Sequence, residues 1–234
     1  MSTYVLVPGA WLGGWCWRRL AEYLRGDGHQ VYPATLTGLG ERTHLGAPDV
    51  GLATHVQDVI NLLEYEDLSE VVLVGHSYAG IVIAGVVQGA AQRVSRLIFL
   101  DANLPINNRS IFDEWSPRGR ELVMEDCRTN GEGWKWHFPG ELGEAGSDIS
   151  ETDLKRMSSK ASPHPIKTFT DPLHFSEELF RSFPKTYALC SKVAHSQATL
   201  DRINNEPDWK VINIDAGHWP MISAADRLTK ALQV

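Results

Sequence analysis

Cysteine is scarce in this chain: Cys16, Cys127 and Cys190 are the only three in 234 residues. Their odd number and wide spacing exclude a disulfide framework and a thiolate metal site, and they read as reduced thiols of a cytosolic protein. Long apolar runs are missing, so no membrane span is expected. A β-rich run begins at Tyr4, which leaves no room ahead of it for a signal peptide. Positive charge is in deficit, with 22 Lys and Arg against 29 Asp and Glu, a net charge of −7. A nucleic-acid or anionic-membrane partner is therefore not expected. None of the nine histidines forms an H-E-x-x-H pair or another compact ligand cluster, so no metal is expected. There is no internal repeat and no low-complexity segment. Asn108-Arg109-Ser110 matches a glycosylation acceptor, which is taken as chance without a secretion signal.

What remains is an ordinary globular composition, 43% hydrophobic and 22% charged, enough for one domain with an inserted subdomain. Strand-like runs appear at Tyr4–Val7, Gln30–Pro33, Val71–Val74, Val94–Leu100, Lys185–Cys190 and Trp209–Ile214. Helical patterns fall at about Trp15–Arg25, from Leu52 to Leu63, after Ala79, at Gln197–Asn204 and at Ser223–Leu232. Ser223-x-x-Asp226 reads as a capping signature for that last helix. Thr35–Val50 is a long polar loop of the kind that carries function. Strands alternating with helices imply a mostly parallel sheet of about six strands covered on both faces. Residues 103–183 are richer in charge, Pro, Gly and Trp and read as an inserted helical cap. The core is then 1–102 with 184–234.

The stretch VVLVGHSYAGIVIAGVV, residues 71–87, organises the chain. A buried β-branched strand turns through Gly75-His76-Ser77-Tyr78-Ala79-Gly80 into an apolar helix. This G-x-S-x-A-G turn is a variant of G-x-S-x-G in which Ala79 takes the place of the second glycine. A sharp strand-to-helix turn lifts the serine hydroxyl above the sheet and needs small neighbours where backbones crowd. It also leaves the Tyr78 N–H at a helix N-terminus, where negative charge is favoured. A serine needs a base, and the base needs an orienting partner. The candidate base is His218, in Asp215-Ala216-Gly217-His218-Trp219, just after the last strand. His76 should point away from Ser77 and buttress the turn. His137, His164, His174 and His195 read as surface or pocket-wall residues. Two backbone N–H groups must face the developing oxyanion. Tyr78 is one and Ala10, in the turn after the first strand, the other.

These pieces make a family resemblance plain. YVLVPGAWLGGWCW, VVLVGHSYAG, the insertion after LDANLP, and AGHW resemble the α/β-hydrolase family, specifically its plant methylesterase and hydroxynitrile lyase branch and bacterial relatives. The resemblance implies a Ser-His-Asp triad, no cofactor, Ser77 as nucleophile and His218 as base. Pro8-Gly9 departs from the family's usual His-Gly. The acid also departs. It usually follows the strand matching Lys185–Cys190, but here that stretch, Ser191–His195, holds no carboxylate. Asp201 lies inside the next predicted helix. Asp101 ends the neighbouring strand, and adjacent strands lie about 4.8 Å apart, so Asp101 is the candidate acid. Asp215 or a Ser-His dyad are the alternatives.

The leading expectation is a serine hydrolase for a small carboxylic ester or lactone. Trp11 and Trp219 are candidate substrate contacts. The alternatives are a hydroxynitrile-lyase-type reaction, disfavoured because Trp219 stands where those relatives carry Lys, and a non-catalytic ligand receptor. A small molecule is the expected partner, and a homodimer is left open.

Overall fold

The computed structural model describes residues 1–233. Six strands form one sheet: β1 (Thr3–Val7), β2 (Gln30–Pro33), β3 (Val71–His76), β4 (Val94–Leu100), then β7 (Lys185–Cys190) and β8 (Trp209–Ile214). Their order is β2-β1-β3-β4-β7-β8, and every pairing is parallel. Two further strands, β5 (Lys135–Trp136) and β6 (His164–Pro165), pair antiparallel as a separate ribbon. The β-branched and aliphatic runs seen in the sequence form the middle of the sheet because both its faces are buried. Val5, Leu6, Val7, Leu73, Val74 and Leu97 are fully shielded.

Helices α1 (Arg18–Gly26), α2 (Leu52–Tyr65) and α3 (Ala79–Ala90) connect the first four strands. Between β4 and β7 the chain forms α4 (Ile111–Glu114), α5 (Pro117–Asn130), α6 (Glu151–Lys160), α7 (Lys167–Thr170) and α8 (Glu177–Ser182). Helix α9 (Gln197–Asn205) links β7 to β8, and α10 (Pro220–Ser223) and α11 (Ala225–Leu232) close the fold. Helix α3 is apolar all round and buried along most of its length, the pattern of a helix enclosed between sheet and neighbours. Ser110, Ser116, Ser150, Ser176 and Ser196 each cap the helix that follows with a side-chain oxygen.

The capping signature at Ser223 does not operate. The chain turns once as α10 and restarts at Ala225, with Ala224 at the cap position and no side-chain cap bond. The Ser223 hydroxyl is instead taken by Asp148 Oδ2 at 2.9 Å, so a tertiary partner wins over the local one. Among the described residues no helix is long and apolar enough to cross a membrane.

Candidate active site

Parallel strands deliver Ser77, Asp101 and the Gly9–Ala10 turn to the same edge of the sheet, at the C-terminal ends of β3, β4 and β1. Ser77 sits at φ +53°, a left-handed conformation rarely held by a residue with a side chain and costing on the order of 1–3 kcal/mol. Backbone bonds on both sides hold it. Its N–H donates to Leu100 O at 3.1 Å, and its carbonyl accepts from Asn103 N at 3.0 Å. Gly80 has no alternative here, since an added Cβ would overlap the Asn103 carbonyl oxygen. Gly9 brings the first loop onto the turn. A Cβ there would lie 2.7 Å from His76 Nδ1 and 2.9 Å from Ser77 Cβ.

His218 Nε2 lies 3.0 Å from Ser77 Oγ, and its Nδ1 lies 2.5 Å from Asp101 Oδ2. Asp101 is also left-handed, at φ +45°, which Asp tolerates better than most residues. Its N–H donates to Ala188 O at 2.9 Å. The buried carboxylate turns its other oxygen, Oδ1, toward the Cys190 N–H at 3.4 Å and His195 Nε2 at 3.5 Å. His195 Nε2 also donates to Cys190 O at 3.0 Å. So the stretch without a carboxylate carries a histidine that faces Asp101, a role its position in the sequence did not signal. The other two carboxylates lie elsewhere. Asp215 pairs with Arg227 and Lys192, and Asp201 accepts from Gln197 on exposed α9.

The loop bearing His218 is gripped from outside the sheet. Ala145 O accepts the His218 N–H at 2.8 Å, and Asp148 Oδ2 accepts the Gly217 N–H at 2.8 Å. His76 donates from Nε2 to His218 O at 2.6 Å. Burial drives the pKa of His76 well below the usual histidine range, with the nearby His218 adding to the effect. Neither the Ala10 N–H nor the Tyr78 N–H has an acceptor among the described residues. Two donors without acceptors beside a serine and a histidine are what a developing oxyanion requires.

A cleft of about 490 Å³ opens over Ser77 and His218, walled by Leu104, Trp115, Tyr187 and His195. Its size lies within the usual range for small-molecule sites. A larger hollow of about 740 Å³ lies at the opposite ends of the strands, around Thr3 and Arg96, away from this chemistry. Trp219 corrects the sequence-based expectation: its side chain is buried in the core, edge-on to the His218 ring at 4.8 Å, and does not line the cleft. Trp11 is half-buried, packs against Trp136 at 4.4 Å and Phe138 at 5.7 Å, and is likewise absent from the cleft wall. Both rings satisfy their hydrophobic surface by packing, the commoner fate of a tryptophan.

A family model described as "Alpha/beta hydrolase family" matches residues 4–231. The chain is 48% identical over 111 residues to a carbendazim hydrolyzing esterase of Nocardioides sp. (strain SG-4G), an alignment covering 47% of this chain and 46% of that protein. It is 28% identical to Methylesterase 3 of Arabidopsis thaliana, covering 97% of this chain and 93% of that one. Among solved structures, an extracellular alpha/beta-hydrolase from a Paenibacillus species superposes with a TM-score of 0.82 at 23% identity, covering 99% of each chain. That protein is described as sharing structural and functional homology with tobacco salicylic acid binding protein 2. With the fold, the strand-to-helix serine turn and a family match over nearly its whole length, the chain belongs to the alpha/beta hydrolase family.

Proposed function

We propose that this protein is an esterase that cleaves a small carboxylic ester through an acyl-enzyme on Ser77. The observation that carries this is the continuous contact from Ser77 Oγ to His218 Nε2 and from His218 Nδ1 to Asp101 Oδ2, at 3.0 and 2.5 Å. His218 takes the hydroxyl proton as Ser77 attacks the ester carbonyl. The Ala10 and Tyr78 N–H groups receive the negative charge of the tetrahedral intermediate. The alcohol leaves with the proton from His218, and water activated by the same nitrogen then releases the acid. Asp101 accepts the Nδ1–H, which leaves Nε2 free to act as base, and stabilises the imidazolium when it forms. No metal or cofactor enters this chemistry.

Residues 103–183 would act as the cap over a core of 1–102 and 184–234, since Leu104 and Trp115 wall the cleft. The relatives named methylesterases support a substrate whose alcohol part is small, a methyl ester, and the relative named a carbendazim hydrolyzing esterase supports the esterase class. The buried free thiols Cys16, Cys127 and Cys190 fit a reducing, cytosolic setting. A panel of methyl and p-nitrophenyl esters of graded acyl size, with a methyl carbamate and a cyanohydrin, tests the proposal. Turnover of the esters is expected. Cleavage of the cyanohydrin alone, or tight binding of an ester with no product, would overturn it.

A further inference from the structure

The Trp11 peptide is held on both sides by the segment that joins β4 to β7. Trp11 sits at φ +63°, directly after Ala10, the residue proposed above as an oxyanion donor. Its N–H donates to His164 Nδ1 at 3.2 Å. Its carbonyl accepts from the Ser162 N–H at 3.0 Å. A backbone N–H can only donate, so His164 Nδ1 must be the acceptor and the ring proton must sit on Nε2. That nitrogen lies 2.8 Å from Thr168 Oγ1, and the Thr168 hydroxyl in turn donates to Pro165 O at 2.9 Å. The direction of every proton in this chain is therefore set.

The same cluster holds the second oxyanion residue. The Tyr78 ring packs against His164 at 4.9 Å and stacks on Phe169 at 4.9 Å. The Tyr78 hydroxyl meets His55 Nδ1 at 2.9 Å, and His55 Nε2 donates to Thr37 O at 2.8 Å. His164 and His55 are both fully buried, and both are held neutral because burial disfavours the charged ring.

We propose that His164 is a positioning residue for the oxyanion site: by accepting the Trp11 N–H, it fixes the turn that aims the Ala10 N–H. This rests on the Ser77 esterase proposal. It ties assembly of the anion site to the placement of a segment remote in sequence. A donor that is misaimed by a fraction of an ångström loses much of its effect on the transition state while hardly altering ground-state binding.

Two amide substitutions test it. In H164N the side-chain oxygen falls where Nδ1 was and can still accept the Trp11 N–H. In H164Q the amide NH2 falls where Nε2 was and keeps the bond to Thr168 Oγ1, and Trp11 loses its acceptor. We expect H164N to stay within about threefold of the parent kcat, and H164Q to lose roughly 10–100-fold, with KM little changed in both. Hydrogen exchange at the Trp11 amide should be slow in the parent and H164N and fast in H164Q. Melting curves establish that both variants fold. If packing alone mattered, Gln, nearer to His in volume, would retain more activity than Asn, and that order would overturn the proposal. So would equal kcat in the two variants. The parent is treated in parallel with a fluorophosphonate. A parent that neither turns over p-nitrophenyl acetate nor is labelled at Ser77 marks failure of the esterase proposal itself.

Discussion

Asp101→Asn tests the shifted acid. The substitution is nearly isosteric, but the amide has one acceptor and one donor end, and the site dictates which end goes where. Oδ1 of Asp101 faces two donors, the Cys190 N–H at 3.4 Å and His195 Nε2 at 3.5 Å. His195 Nε2 must carry its proton because it also donates to Cys190 O. An amide NH2 placed there would oppose two N–H groups, so the amide oxygen stays on that side. The NH2 is then turned to His218 Nδ1, which must become an acceptor. The ring proton moves to Nε2, facing Ser77, and the base is lost. The expected cost is about 10⁴-fold in kcat, the scale seen when a triad acid elsewhere is made an amide, equivalent to about 5 kcal/mol. Hydrolysis of p-nitrophenyl acetate at matched, fully folded concentrations measures it. A D101N variant within tenfold of the parent would refute the assignment, as would an equal loss in Asp215→Asn or Asp201→Asn.

Further outcomes follow from the buried groups. His55 takes up its proton only near pH 4 in the folded protein against about 6.5 when unfolded. The unfolded chain thus binds more protons between those values, and stability falls as pH drops through that window, by about 3 kcal/mol from His55 alone. His76 and His164 act with the same sign. Denaturant unfolding at pH 7 and pH 5 checks this, and equal stability at the two would contradict it. Asp148→Ala removes the acceptor of the Gly217 N–H and the Ser223 hydroxyl. It should cost about 1–3 kcal/mol in stability and lower kcat, read from melting and steady-state rates. An unchanged kcat would separate the His218 loop from this clamp. Gly80→Ala should prevent folding or active-site formation, because the added methyl overlaps the Asn103 carbonyl. Soluble, active protein would show that the elbow can widen.

The middle of the sheet was legible because its strands are buried on both faces and so appear as unbroken apolar runs, Val71–Val74 being the clearest. Ser77 was legible because its turn has a demanding local geometry. Asp101 was reached through an absence, the missing carboxylate after Lys185–Cys190. What escaped depends on partners distant in the chain. His164 meets Trp11 across 153 positions and Asp148 meets Gly217 across 69, and no local pattern encodes either contact. Ser223 misled for the same reason, since Asp148 competes for its hydroxyl. Trp219 misled because an indole beside a catalytic-type histidine can support it from the core as readily as it can line a cleft.

The central claim is that Ser77 is the nucleophile, and Ser77→Ala tests it most directly. Alanine fits the elbow without a clash, so circular dichroism and melting should match the parent. The kcat for p-nitrophenyl acetate should fall on the order of 10⁴-fold or more. A well-folded S77A protein that keeps its rate within tenfold of the parent would contradict the account.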